Sequence, residues 1–145
     1  MATGERRKAR EIVVQTLYEI SHTEEPFARA LESNLERRGG GDVARQHADR
    51  LLRLIEQHRT EITAKISDAL TNWSIERVAM VDRCVLEIGC AEILYCDDVP
   101  LRVAINEAVE IARKFSTDES GAFVNGVLDR IAHGPSRSAV PESDA

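Results

Sequence analysis

The sequence lacks most of the features that mark secreted, membrane-spanning or catalytic proteins. Only three cysteines occur, Cys84, Cys90 and Cys96. An odd number with no secretory leader points to reduced thiols in a cytoplasmic protein. Their six-residue spacing does not suit zinc ligation, and six residues turn a helix by about 600°, so successive cysteines point in different directions. They read as small core or surface side chains. No apolar run approaches the ~20 residues that span a bilayer, and the basic start MATGERRKAR leads into no hydrophobic signal core. No stretch alternates apolar and polar residues as a strand would. Dinucleotide and Walker glycine loops, H-E-x-x-H and the Gly-x-Ser-x-Gly elbow are all missing. Asp97-Asp98 pairs two carboxylates, but in a proline turn with no base or metal cluster beside it. These absences disfavour an enzyme and predict no catalytic, cofactor or metal site.

What is present is an ordinary globular mixture: 145 residues, 43% hydrophobic and 30% charged. That length predicts one domain able to bury a core unaided, and is too short for a nucleotide-binding sheet plus a substrate domain. The folded part is expected over residues 1–134, followed by a polar, disordered tail at 135–145.

Charge is unevenly placed. The chain carries −6, yet its first ten residues hold Arg6, Arg7, Lys8 and Arg10 against Glu5, a local +3 that leaves −9 on the remainder. A focused basic patch can attract a polyanion despite an opposing net charge. Ala9, Ile12, Val13, Thr16, Leu17 and Ile20 follow helical spacing, predicting an amphipathic helix over residues 5–20. Arg7, Arg10, Val14 and Tyr18 form a second line, read as a face away from the core. Cations with a nearby ring suit single-stranded nucleic acid, the cations for phosphates and the ring for a base. The plainer alternatives are a solvated terminal turn and a rim tyrosine.

Helical periodicity continues along the chain. Pro26 suits the first turn of a helix that buries Phe27, Ala30, Leu31, Asn34 and Leu35. Gly39-Gly40-Gly41 ends it as a loop. Asp42 is expected to cap a helix with Val43, His47, Leu51, Leu54, Ile55 and His58 inward, the histidines packed rather than ligating. Thr60 is expected to cap the next helix. Trp73 reads as a core anchor between helices, and Asp82 as the cap of a helix with Val85, Ile88, Gly89, Glu92 and Ile93 inward. Asp97–Pro100 is a turn, because the residue before proline avoids helical geometry. A helix over 101–115 follows, then a Ser116–Glu119 capping box and a last helix carrying Phe123, Val124, Val127, Leu128 and Ile131. Gly126 inside that helix suggests a close helix–helix approach. The expected fold is all-α, six or seven helices in two packed halves, divided loosely at the glycine loop and the Trp73 region.

Three stretches together resemble the NusB family of bacterial transcription antitermination factors. ERRKAREIVVQTLYEI is similar to the family's arginine-rich first helix. WSIERVAMVDRCVLEIGCAEILY carries its W-x-x-x-R-x-x-x-[VI]-D-[RK]-x-[VI]-L segment. DDVPLRVAINEAVEIARKFSTDESGAFVNGVLDRI carries its D-V-P-x-x-V-A-I-N-E-A and F-[VI]-N-G-[VI]-L-D runs. The likeness extends over most of residues 5–132. It implies an all-helical, non-enzymatic protein that binds boxA-type single-stranded RNA together with a small-subunit ribosomal protein, NusE. That complex joins the transcribing RNA polymerase and supports ribosomal RNA operon transcription. Matched by position, the resemblance implies RNA-binding roles for Arg6, Arg7, Lys8, Arg10, Tyr18, Phe115, Glu119, Ser120 and Phe123. Lys8 stands where an arginine is common, keeping the charge without the bidentate fork. Gly121-Ala122 and Glu87 replace polar or basic family residues.

The Ser116–Glu119 region adds an independent reading, since a helix N-terminus favours anions, phosphate included. Asn106, Glu107 and Asn125 are open between that use and buried polar residues that satisfy loop backbone. The competing function is a helical protein–protein adaptor or homodimer without intrinsic RNA binding. A NusB-like domain also begins an rRNA cytosine methyltransferase, an arrangement against which the length counts.

Overall fold

A computed structural model describes residues 2–71 and 74–134. Within them lie seven α-helices and no strand, as the periodicity predicts: α1 (Ala2–Ile20), α2 (Phe27–Arg38), α3 (Asp42–Gln57), α4 (Arg59–Ala69), α5 (Met80–Tyr95), α6 (Leu101–Phe115) and α7 (Asp118–His133), with one 3-10 turn at Ile75–Arg77. None of these helices is long and apolar enough to cross a membrane. The chain divides into two compact units, Met1–Arg59 and Thr60–Ala145. The division falls where α3 gives way to α4, rather than at the glycine loop. Trp73, expected as a core anchor, and the expected disordered tail lie outside the described residues.

In the first unit both α2 and α3 pack on α1. Ile12, Val13 and Leu17 are buried, with Leu31 and Leu35 of α2 and Leu51 and Ile55 of α3. Because two helices cover α1, more than one of its stripes is closed. A buried polar tie accompanies this packing: Thr16 Oγ1 donates to the Ile12 carbonyl at 2.8 Å and accepts from Asn34 Nδ2 at 2.8 Å. Asn34 also donates to Glu19, and Arg37 and Arg38 at the end of α2 lie 3.8 and 3.7 Å from the same carboxylate. Gly39 then ends α2 in the left-handed region, φ 80°, its N–H donating to the Leu35 carbonyl. The α2 stripe is buried as predicted. On α3, Asp42 is the first helical residue behind Gly41 rather than a side-chain cap, and Val43 is 44% exposed rather than inward. Likewise Thr60 lies inside α4, whose first residue is Arg59.

In the second unit α5, α6 and α7 pack on one another. The close approach lies at Gly89 of α5. A Cβ there would stand 2.6 Å from Leu128 Cδ1 and 3.1 Å from Cδ2 on α7. Gly126, expected to be that point, has nothing nearer to its missing Cβ than Arg130 Nη1 at 3.9 Å, so this expectation is corrected. Arg130 Nε donates to the Ala69 carbonyl at 2.8 Å, tying α7 to the end of α4. All three cysteines are buried thiols that form no disulfide. Burial pushes the Cys90 thiol up to about 12, which keeps it protonated and unreactive.

Candidate nucleic-acid interface

Basic residues enter α1 early because its apolar positions recur at helical spacing, leaving the intervening side chains to face outward. Arg7 and Lys8 are exposed and Arg6 is half-buried. Tyr18, ten residues further along α1, is 41% exposed. Its ring meets His22 at a centroid distance of 4.9 Å, tilted by 59°. The His22 Nδ1 and the Ser21 hydroxyl lie against the Tyr18 carbonyl at 3.1 and 2.6 Å and hold the end of the helix. One part of the expected basic face is corrected. Arg10 is only 2% exposed and Val14 likewise 2%. The line Arg7–Arg10–Val14–Tyr18 therefore opens to solvent only at its two ends, because α1 is packed along more than one stripe. An Arg10 guanidinium withdrawn from solvent cannot grip a phosphate as a surface arginine does.

In the second unit, Glu119, Ser120 and Phe123 come together around a cavity of about 240 Å³ that Arg77, Asp82 and Thr117 also line. Phe115 is not among the lining residues; it is half-buried at the end of α6, with Lys114 Nζ 5.6 Å from its ring centroid. The start of α7 differs from the expected capping box. Thr117 is the N-cap, and its Oγ1 accepts from the Ser120 N–H at 3.0 Å. Ser116 instead places its hydroxyl 2.9 Å from that of Ser120.

Ser120 is 8% exposed and its hydroxyl donates to Asp82 Oδ2 at 3.1 Å. That hydroxyl is therefore committed within the unit. Asp82, expected as a helix cap, sits in the first turn of α5 behind Ala79. It is itself 8% exposed, and its buried Oδ1 has no hydrogen-bond partner. Burial raises the Asp82 carboxyl above its ordinary 3.8, and the Ser120 hydrogen bond offsets part of that rise. Asp82 and Arg77 had no signal as lining residues in the sequence. An aspartate at a helix start reads as a cap, and an arginine before it as solvated.

The polar residues Asn106 and Asn125 are exposed and line a groove with Arg102 and Asp129, whereas Glu107 is buried. The structure thus separates a trio that the sequence left open. Gly121, one of the departures noted above, is filled from α6: Arg113 Cγ lies 2.8 Å from where a Cβ would stand. Among the described residues no group of three or more His, Cys, Asp or Glu could hold a metal ion.

The chain's likeness to known proteins agrees with its all-helical fold. The NusB family model matches residues 7–133. Transcription antitermination protein NusB of Geobacter sulfurreducens is 44% identical over 130 residues, covering 89% of this chain and 94% of the relative. Its namesake in Myxococcus xanthus is 40% identical over 133 residues, covering 89% and 95%. Among solved structures, T. maritima NusB superposes with a TM-score of 0.82 at 38% identity, covering 90% of this chain and 94% of that one. A structure of antitermination factors NusB and NusE in complex with dsRNA matches with a TM-score of 0.81 at 26% identity, covering 88% and 96%.

Proposed function

The chain belongs to the NusB family, and from that premise we propose how it acts. It is a transcription antitermination factor that binds boxA-type single-stranded RNA together with the small-subunit ribosomal protein NusE, in the cytoplasm, on the transcribing RNA polymerase. Its work is binding and has no reaction step. The observation that carries this reading is the opening of α1, where Arg7 and Lys8 are exposed and Tyr18 presents its ring. On a chain of net charge −6, that helix supplies the cationic footprint that RNA phosphates require. Tyr18 supplies a flat ring for a base or for the ribosomal partner. The named NusB–NusE–RNA complex among the structural relatives supports the choice of partners. Phe123 and Glu119 at the second unit's cavity supply an additional surface, and Phe115 a further ring. Ser120 acts from behind, by holding Asp82.

A salt titration of RNA affinity tests this. Each phosphate neutralised on a single strand contributes about −0.7 to the slope of log K against log salt. Arg7→Ala is expected to weaken binding to every sequence and to make the slope shallower by about 0.7. Tyr18→Ala is expected to cost about 1–3 kcal/mol with little salt dependence if the ring stacks on a base. If it meets only the ribosomal protein, the loss appears in the ternary complex alone. An unchanged slope in Arg7→Ala removes α1 from the RNA site and leaves the adaptor or homodimer reading in its place.

A further inference from the structure

The cavity at the start of α7 holds an acceptor that the fold leaves unused. Asp82 lines it and is 8% exposed, and of its two carboxylate oxygens Oδ2 accepts from the Ser120 hydroxyl at 3.1 Å. Oδ1 is buried without a hydrogen-bond partner. A buried polar atom left unpaired is costly, and an incoming donor relieves that cost. The rest of the wall limits what the donor can belong to. Glu119 is exposed on the same wall, so two carboxylates disfavour an anion there even beside a helix N-terminus. Arg77, exposed and also lining the cavity, disfavours a cation. The half-buried Phe123 and the buried Val78 supply apolar surface. The volume of about 240 Å³ lies below the ~300–1,000 Å³ of sites for drug-sized ligands and suits a single ring system. A neutral, flat group with an N–H donor on its edge meets all of these conditions.

We propose that this cavity takes one base of the bound RNA, a cytosine or an adenine whose exocyclic amine donates to Asp82 Oδ1, which makes Asp82 a specificity-determining residue. This rests on the RNA-binding reading above and adds base selection to it. An acidic side chain that accepts from a cytosine amine reads that base in the same way in duplex grooves, and single-stranded RNA leaves the amine-bearing edge uncovered. Uracil carries a carbonyl where cytosine carries its amine, which sets oxygen against the carboxylate. Phe123 offers a face for the ring, as aromatic side chains do along single strands. Ser120 is a positioning residue: by holding Oδ2 it leaves Oδ1 as the oxygen that remains for the base. The cations of α1 then grip the backbone, and the second unit reads one letter of the sequence.

The test is a base scan with the full chain and a boxA-type single-stranded RNA oligonucleotide. Each cytosine is replaced in turn by uracil and each adenine by hypoxanthine, so that a carbonyl takes the place of the amine. For the wild type, one position is expected to lose about ten-fold in affinity through this exchange. Asp82→Asn keeps an amide oxygen for Ser120 and turns an NH2 donor to the cavity. At that one position it is expected to reverse the preference and bind the carbonyl-bearing RNA more tightly, a swap rather than a loss. If Asp82→Asn does not fold, Phe123→Leu carries the test, since removal of the ring is expected to shrink the discrimination at the same position alone. A wild type with no discriminating position, or a preference that the variant leaves in place, overturns the base reading, while Arg7→Ala still reports on RNA binding. A uniform loss across all oligonucleotides in Asp82→Asn also overturns it, because that marks a structural role and not readout. A wild-type chain that binds none of these RNAs overturns both readings.

Discussion

The two units handle polar chemistry in opposite ways. At the start of α1 the cations stand at the surface, with Arg7 and Lys8 exposed, and only Arg10 is drawn inside. At the start of α7 one polar group turns inward: the exposed Thr117 caps the helix, while the buried Ser120 donates its hydroxyl to the Asp82 carboxylate of α5. The first unit presents cations to solvent, where ionic interactions depend on salt. The second holds a carboxylate out of water, where geometry and hydrogen bonding decide the cost. Changes in the first unit should therefore alter binding more than stability, and changes in the second the reverse.

The largest test of that contrast is at Gly89. Seven residues separate it from Asp82 along α5, and its partner Leu128 lies eight residues after Ser120 on α7. The Gly89–Leu128 approach thus sets the helix separation on which the Asp82–Ser120 hydrogen bond depends. Leu128 is fully buried and cannot swing away. Gly89→Ala is expected to cost about 1–3 kcal/mol through overpacking, read as a lower thermal midpoint. Gly126→Ala, whose new methyl makes only an ordinary contact with Arg130 Nη1 at 3.9 Å, is expected to raise stability by up to ~1 kcal/mol. Equal effects at the two glycines would refute the assignment of the close approach.

Arg10→Ala comes next and is the exception within the first unit. Its buried side chain packs and interacts inside the fold, so removal is expected to cost about 1–3 kcal/mol by leaving buried polar groups unsatisfied. Arg7→Ala, at the exposed end of the same line, is expected to stay within about 0.5 kcal/mol in stability while losing RNA affinity. Chemical denaturation of both variants separates these outcomes, and a stable Arg10→Ala with weakened RNA binding would return Arg10 to the surface.

A smaller effect distinguishes the cap. Thr117→Ala is expected to cost ~1 kcal/mol, because Thr117 Oγ1 accepts from the Ser120 N–H. Ser116→Ala is expected to cost less, since its hydroxyl meets another hydroxyl rather than a backbone donor. Thermal midpoints of the pair decide whether the helix begins at Thr117 or one residue earlier.

The smallest effect is a trend with pH. Asp82 has a folded-state carboxyl raised above its ordinary 3.8, so the folded chain holds that proton more tightly than the unfolded chain. The stability this lends is fully present below pH 3.8 and is lost as pH rises through the folded value. Asp82→Asn removes the dependence and retains an acceptor for Ser120. The variant should gain on the wild type between acid and neutral pH in urea midpoints, and a trend of opposite sign would contradict burial as the cause.

Much of the fold was legible along the chain. The α2 stripe, the Gly39 stop and the helix over 101–115 follow from spacing, φ preference and proline placement, all local effects. Caps were read less well: Asp42, Thr60 and Asp82 each look like a side-chain cap, but the helices begin at Asp42 itself, Arg59 and Met80, so each of the three lies inside its helix. A cap depends on which backbone N–H is left facing an oxygen, which composition does not specify. The candidate site was legible where it is cationic and exposed, at Arg7 and Lys8. It was illegible at Asp82 and Arg77, which line a cavity with Thr117, Glu119 and Phe123 only because segments far apart in sequence pack together.

By itself the sequence determined that the chain is helical, where most helices break, that its positive charge gathers at one end, and which family its motifs resemble. These are properties of neighbouring residues, written in periodicities of three and four and in runs of like charge. Tertiary packing alone decided which residues of those helices meet solvent. It buried Arg10, exposed Val43, moved the close approach from Gly126 to Gly89, and placed an aspartate with an unpartnered oxygen beside a serine 38 residues away. Burial is a property of pairs of helices, and a helix presents the same stripe of side chains whichever partner comes to cover it.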